Sequence, residues 1–549
     1  MNTENNIFRD GVAGFLPADV CVLLLAGLYA ASAGASGSPV SAAAVEDALP
    51  YLLLYAAARL CFSISEKWMT YIVCLSLCLW TIYEAALGLL QFSGFMPSGH
   101  ASFPMTGTFS NPGPYGGLLS AGLSAAAGCL VTDRGFLSGR KSFRSGWTSY
   151  LMSVVAALTV VLGILVLPAS MSRAGWFGCS AALCVLLLRE TSAANWIRTH
   201  KSLSVIISFV CIALAVGAFM MKRDSALGRL HIWDIEVRAV VASPCAGYGP
   251  GLAMGAYGQT QERYFADCAR SEQRIRVAGC PEYAFNEYLK VGMETGIPGL
   301  LLSALLVSFG IYALSVKRSP LGYSAISLAL FAFFSYPLSI PSLACLSAVL
   351  LASGGRRSRS GVFSWTMVAA LIAVACLLTA APYKSRVKAG HTYHSMRHLV
   401  GMELYDGAVE KLEPLYPELQ GDARYLYDYG YSLFRSGNYE ESVRVLAKGT
   451  EISSDPMFHN IIGRSLEAMG DVAGAEKEYV FSHNMLPCRL YPLVLLMDMY
   501  IANNRFDDAV VVGEKIAVMP VNEKHGAMMR LKLEAEDKLN KMKCNGKIQ

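Results

Sequence analysis

Arg173 stands in "SMSRAGW", residues 170–176, a stretch so short that the guanidinium is held at the edge of two apolar runs. An ionisable group at such a site is a functional candidate by default, because it is expensive to leave there without a partner. Arg229 and Arg238 lie in "RLHIWDIEVRAV", 229–240, close to another apolar run. A guanidinium is charged at every working pH and offers paired donors, a combination suited to phosphate. A second set occupies "CPEYAFNEYLKVGMETGIPG", 280–299, where Tyr283, Asn286, Glu287, Lys290 and Glu294 recur at helical spacing just ahead of an apolar run. Asn111 and Tyr115 sit in "TGTFSNPGPYGG", 106–117; a membrane tolerates such non-helical backbone only where protein or water covers it. Asp234 with Glu236, and Glu46 with Asp47, are acidic pairs without a third carboxylate. Hard cations take more oxygen ligands than that, so no metal site is expected.

The elements that must position these residues are membrane helices. The chain has 549 residues, 54% hydrophobic and 16% charged, with a mean hydropathy of +0.40; soluble proteins carry about 25% charged residues. A span needs about 20 apolar residues. Eleven runs approach that length: 12–32, 47–64, 68–91, 114–131, 149–169, 174–188, 203–221, 297–316, 321–335, 339–352 and 363–381. The first lacks a basic leader and an A-x-A site, so it reads as a retained span. Numbering the loops alternately gathers Lys67, Arg140, Lys141, Arg189, Lys317 and Arg356 on one side, and leaves Arg173 alone in the short loops of the other. The positive-inside rule then places the N-terminus in the cytoplasm and the long loop 222–296 outside. The tail also falls outside, in the periplasm of a two-membrane bacterium. Cys245, Cys268 and Cys280 share the outer loop and allow a disulfide whose pairing the spacing does not choose.

Residues 385–549 read as an ordinary soluble sequence. "YDGAV" at 405, "YEESV" at 439, "VAGAE" at 472 and "FDDAV" at 506 recur at intervals of 34, 33 and 34 residues, the period of tetratricopeptide repeats. The expected fold is therefore all-α: a polytopic helical membrane bundle of about eleven spans over 1–381, followed by a tetratricopeptide-like helical solenoid over 385–549. The concave face of a solenoid offers a surface to a protein partner. Nothing points to nucleic acid.

In order along the chain, "GTFSNPGPYGG", "SRAGW", "R-x-x-x-W" with "GYGPG", "NEYL" with "ETGIPG", and "FSYPLSIPSL" at 334–343 resemble the O-antigen ligase and polymerase family. Bacterial protein O-oligosaccharyltransferases are its near relatives. The resemblance covers roughly 100–345. It implies a bacterial inner-membrane transferase without a cofactor, which moves a glycan from a polyprenyl-diphosphate lipid to a hydroxyl of a glycan, a lipid A core or a protein. It further implies catalytic roles for Arg173, Arg229, Glu287 and Tyr283, and substrate contacts for Arg238, His231, Asn286, Asn111, Tyr115 and Lys290. Many members carry His before the Asn of "NEYL" as the general base; here that residue is Phe285. Glu287 is the first substitute, with Tyr283, His231 or the absence of a strong base as alternatives. A polymerase of the same family and a non-catalytic envelope scaffold are the rival functions. A transporter fits the hydrophobicity, but its polar residues would gather at mid-membrane.

Overall fold

A computed structural model describes residues 17–132, 147–200, 202, 223–267, 271–354, 359–520 and 526–545. The expected span at 203–221 and Cys268 lie outside these residues. Ahead of the long loop come α1 (Pro17–Ser36), α2 (Pro39–Ile64), α3 (Glu66–Phe92), α4 (Pro112–Thr132), α5 (Trp147–Ala169), α6 (Arg173–Glu190) and α7 (Ala193–Thr199). The loop forms α8 (Arg223–Ala242), α9 (Ala253–Ala266) and α10 (Glu272–Val277). The apolar part closes with α11 (Glu287–Val316), α12 (Pro320–Phe334), α13 (Pro341–Ala352) and α14 (Arg359–Met396). A helix is the form that satisfies its own backbone without water, so apolar runs of this length adopt it.

Among the described residues, α1 to α5, α11 and α14 are long and apolar enough to cross a membrane, and α6 with α7, bent by 84°, adds an eighth. The expected count of about eleven is therefore not reached by helices of crossing length. Two of the expected spans are α12 and α13, of 15 and 12 residues. At 1.5 Å per residue they reach about 22 and 18 Å, short of a hydrocarbon core of about 30 Å. Between them the chain is extended at Ser335 and makes one tight turn over Pro337–Ser339. α11 starts ten residues before the apolar run at 297, with a break at Gly296.

α4 is the axis of the bundle and packs on α3, α5, α6 and α12. Its Leu118, Ala121 and Ala125 are fully buried against Leu77, Ala156, Leu328 and Phe331. Small residues let these backbones approach closely, which is how helices pack where lipid supplies no hydrophobic drive. Each Gly of the α4–α6 contact is needed for it: a Cβ on Gly175 would stand 2.6 Å from the Gly116 carbonyl oxygen. α1 and α2 are tied by a buried ion pair, with Arg59 Nε and Nη2 donating to the two Asp19 oxygens at 2.8 and 2.7 Å.

α14 runs unbroken through Pro382 into the tail, so the expected boundary near 381–385 falls inside one helix. The tail continues as α15 (Tyr405–Leu412), α16 (Ala423–Arg435), α17 (Tyr439–Ile452), α18 (Met457–Ala468), α19 (Val472–Met485), α20 (Tyr491–Ala502), α21 (Phe506–Val518) and α22 (Gly526–Asn545). From α16 onward each helix packs on the next. Positive φ recurs at Glu403, Gly437, Gly470 and Asn504, at the sequence period of 34, 33 and 34, and each of these residues shortly precedes the second helix of a pair. Gly430 and Gly463 do the same work in successive pairs: a Cβ would stand 2.5 Å from Leu446 in one and 2.5 Å from Tyr479 in the other. The tail lies on the loop, with α9 packed against α17 and α19.

Candidate functional site

The first turns of α4 and α6 meet. The Ser172 hydroxyl donates to the Gly113 carbonyl at 3.4 Å and, as N-cap of α6, accepts from the Gly175 N–H. Two helix N-termini, each carrying partial positive charge and unpaired N–H groups, therefore face one corner. Arg173 is the first residue of α6 and half-buried there. Arg229 enters from α8: its Nη1 donates to the Phe334 carbonyl at 3.1 Å, and its guanidinium lies over the Phe285 ring at 5.2 Å. Burial first, and the neighbouring Arg173 charge second, hold the Arg229 guanidinium below its ordinary pKa. Among the described residues no carboxylate pairs with Arg229. Two guanidinium groups held close at two helix N-termini form a strongly positive site, which favours a doubly charged anion such as a diphosphate.

Tyr336 closes the corner. A Cβ on Gly113 would lie 3.8 Å from Ser335 Oγ and 4.0 Å from Tyr336 Oη. The Tyr283 ring stacks on Tyr336 with centroids 4.5 Å apart and planes 7° off parallel, while Phe285 meets Tyr336 edge-on at 5.6 Å. Burial raises the Tyr336 hydroxyl to about 12, and it raises that of Tyr283 as well. Both phenols therefore stay protonated at neutral pH and act as donors or ring surfaces. Tyr336 lies in the break between α12 and α13, and the sequence reading did not select it. The signal was the Pro-rich "SYPLSIP", which cannot continue a helix.

The other expected residues fall into two groups. Asn111 is at the corner, where its Oδ1 accepts from the Gly113 N–H at 3.1 Å and shapes the turn into α4. Asn286 is the N-cap of α11, accepting from the N–H groups of Tyr288 and Leu289 at 3.0 and 3.1 Å. Asn286→Ala is expected to destabilise the protein by about 1 kcal/mol, the usual worth of such a cap, read as a lowered melting temperature in detergent. Glu287, 3% exposed, accepts through Oε1 from the backbone N–H groups of Leu338 at 2.7 Å and Ser339 at 3.2 Å. Lys290 Nζ donates to Ser339 Oγ at 3.2 Å. Glu287 and Lys290 thus hold the turn that follows Tyr336.

Tyr115, Arg238 and His231 are directed elsewhere. Tyr115 is fully buried and donates to the Glu84 carbonyl at 3.1 Å, so it anchors the 106–117 loop and does not line an open space. Glu84 and Gln91 of α3 hold the same loop: the Glu84 carboxylate accepts from Thr108 N and Oγ1, and Gln91 Oε1 accepts from the N–H groups of Thr106 and Gly107. A carboxylate in an apolar span signalled Glu84. Arg238 is nine residues from Arg229, two and a half helical turns, and so points away. It pairs with Asp234 at 3.2 Å, and Asp234 is also held by Arg274 at 2.9 Å. Arg238→Ala should leave any activity within about twofold, since an exposed pair of this kind contributes little. His231, 1% exposed, is bound to Gln261 Oε1 at 3.2 Å, and burial lowers its pKa. Of the acidic pairs, Glu46 and Asp47 are both held by Arg386. Glu236 is fully buried, and neither of its oxygens has a hydrogen-bond partner among the described residues. Burial and the nearby Glu287 push its pKa well up, so it is a neutral acid.

The loop is locked to α11 at its break. Tyr248 and Gly249 N–H groups donate to the carbonyls of Met293 and Glu294 at 2.8 and 3.1 Å, and the Gly251 N–H donates to Glu294 Oε1 at 3.0 Å. Gly296 has φ +75°, and a Cβ there would lie 2.6 Å from the Pro244 carbonyl oxygen, so only glycine fits. Beyond Glu287 an apolar groove of about 130 Å³ runs between α11, α12 and α13 past Val291, Leu306, Leu328 and Leu350 to Leu314.

No curated protein matches the chain. The family model described as O-antigen ligase matches residues 158–304, which include Arg173, Arg229, Tyr283 and Glu287. With helices of crossing length on both sides of that segment, the protein is a multi-pass membrane protein of glycan-transferring type. It belongs, through residues 158–304, to the O-antigen ligase family.

Proposed function

We propose that this protein transfers a glycan from a polyprenyl-diphosphate carrier to an acceptor hydroxyl, by inversion and without a metal ion, at the outer face of a bacterial cytoplasmic membrane. The observation that carries the reading is the meeting of Arg173 and Arg229 beside two helix N-termini. In the reaction the acceptor oxygen bonds to the anomeric carbon from the face opposite the diphosphate. The bond from that carbon to the diphosphate oxygen breaks, and its electron pair leaves with the carrier. Charge thus develops on the phosphate oxygens, where each fixed donor in a water-poor site supplies roughly 3 kcal/mol. The groove below Glu287 suits the apolar carrier chain, and the stacked Tyr283 and Tyr336 flank the glycan.

With Phe285 where a histidine is expected, departure of the diphosphate drives the step, and the acceptor proton is lost late. Glu287, Tyr283, Asn286 and Lys290 serve in this reading as positioning groups around the corner. The basic residues on the opposite side support an inside N-terminus, and the tetratricopeptide-like tail then stands outside beside the site, free to dock a protein acceptor or partner. The test is to reconstitute the purified protein with a polyprenyl-diphosphate glycan and an acceptor, and to follow the anomeric configuration of the product. Transfer with inversion is expected, at a rate unchanged within about twofold by EDTA. An intact donor, together with unchanged envelope glycans and glycoproteins in cells lacking the gene, would end the reading.

A further inference from the structure

We propose that Cys280 and Cys488 form a disulfide that fastens the helical tail to the loop carrying Tyr283 and Phe285. The two cysteines are 208 positions apart in sequence, yet the tail brings their segments together. One amide joins them: Gln261 Nε2 donates to the Gly279 carbonyl at 3.0 Å and to the Met485 carbonyl at 2.7 Å. On the other side of Cys280, the Ser454 hydroxyl donates to the Pro281 carbonyl at 2.9 Å. Arg424 pairs with Glu282 at 2.7 Å. Residues 279, 281 and 282 are thus each held against the tail or its bridging amide, with Cys280 between them. The Cys280 thiol lies within electrostatic reach of Cys488, and Arg489 neighbours both. Cys280 is partly exposed and Cys488 exposed, and both are reduced in this structure. Cys245 is placed differently, with its backbone against Gly296 at the α11 break.

The inference rests on the outer-face orientation of the proposed function, because disulfides persist in the periplasm and not in the cytosol. The step is thiol–disulfide exchange with an oxidised dithiol carrier. The exposed Cys488 thiolate, favoured by Arg489, attacks a carrier sulfur and releases the other as thiolate. The Cys280 thiolate then attacks Cys488 Sγ and releases the carrier. One S–S bond forms, two protons are lost, and two electrons pass to the carrier, which leaves as a dithiol. The bond would fix the height of the 279–286 loop, and with it the Tyr283–Tyr336 stack.

The experiment uses the full chain in membranes never exposed to reductant, labelled with a membrane-impermeant maleimide, digested and mapped by mass. A 280–488 linked peptide is expected, lost on reduction, with Cys280 becoming labelled in the Cys488→Ser variant. Cys280 labelled in the unreduced wild type, or linked to Cys245 or Cys268, overturns the proposal. A second arm treats the purified protein in detergent with oxidised glutathione, where orientation plays no part. Failure to link 280 to 488 there overturns the pairing itself. A link in detergent but thiols that are reduced in membranes and unreached by the impermeant reagent marks failure of the outer-face orientation, and overturns the bond in the cell with it.

Discussion

Arg229→Ala is expected to lower glycan transfer about a hundredfold or more, and Arg173→Ala by a similar factor, measured as initial rates with purified protein and lipid-linked donor. A donor worth roughly 3 kcal/mol to the transition state corresponds to a little over a hundredfold in rate at about 1.4 kcal/mol per decade. The effect should exceed that of an ordinary surface arginine because burial already penalises Arg229 and the Arg173 charge opposes it. Removing either cation relieves the other, so folding should hold or improve while turnover collapses. That opposition between stability and activity separates a phosphate-binding pair from a structural one. If both bind one diphosphate, the double variant should lose less than the product of the single losses, as residues acting as a unit do. Arg229→Lys should recover only part of the rate: a lysine has no planar fork, and beside Arg173 it would shed its proton more readily. Wild-type rates in Arg229→Ala, in protein verified as folded, would remove the central pair from the mechanism.

Much of this site could be read from the sequence, and the parts that could not share a physical cause. Arg173 stood out because a basic residue in a short loop broke the charge pattern, and that loop is where two helix N-termini meet. Arg229 and Arg238 looked alike in the sequence, since both flank an apolar run. Only the phase of α8, which turns one toward Phe334 and the other toward Asp234, distinguishes them. The glycines at 247, 249, 251 and 296 promised close approach, and the structure gives them one contact, the seam between the loop and the α11 break. Periodicity alone does not show that a run of fifteen apolar residues stops short of crossing, so α12 and α13 passed for spans. That misreading hid Tyr336, which exists as a site residue only because the helix breaks there. Long-range partners were also beyond reach. Gln261 is an unremarkable polar residue in sequence, yet it binds Tyr257, His231, Gly279 and Met485, which no local pattern encodes.

Glu287 separates the two accounts of the missing histidine, and the separation depends on one atom. Its Oε1 accepts both backbone N–H groups, from Leu338 and Ser339, and so fixes the turn that presents Tyr336. Glu287→Ala strips those groups of their acceptor in a buried place, at about 1–3 kcal/mol for each. The turn should shift, the melting temperature should fall, and transfer should drop about a hundredfold. Glu287→Gln keeps an oxygen of the same reach, and an amide oxygen can accept both bonds. The charge it removes is partly covered, because Lys290 retains Glu294 as a second acidic neighbour. As a positioning group, the glutamine variant should therefore keep at least about a third of the wild-type rate, with an unchanged pH profile. A proton acceptor behaves differently, because an amide cannot take the acceptor's proton at any useful pH. If Glu287→Gln were as inactive as Glu287→Ala while melting like wild type, late proton loss would be untenable. The carboxylate would then be the base that Phe285 is not.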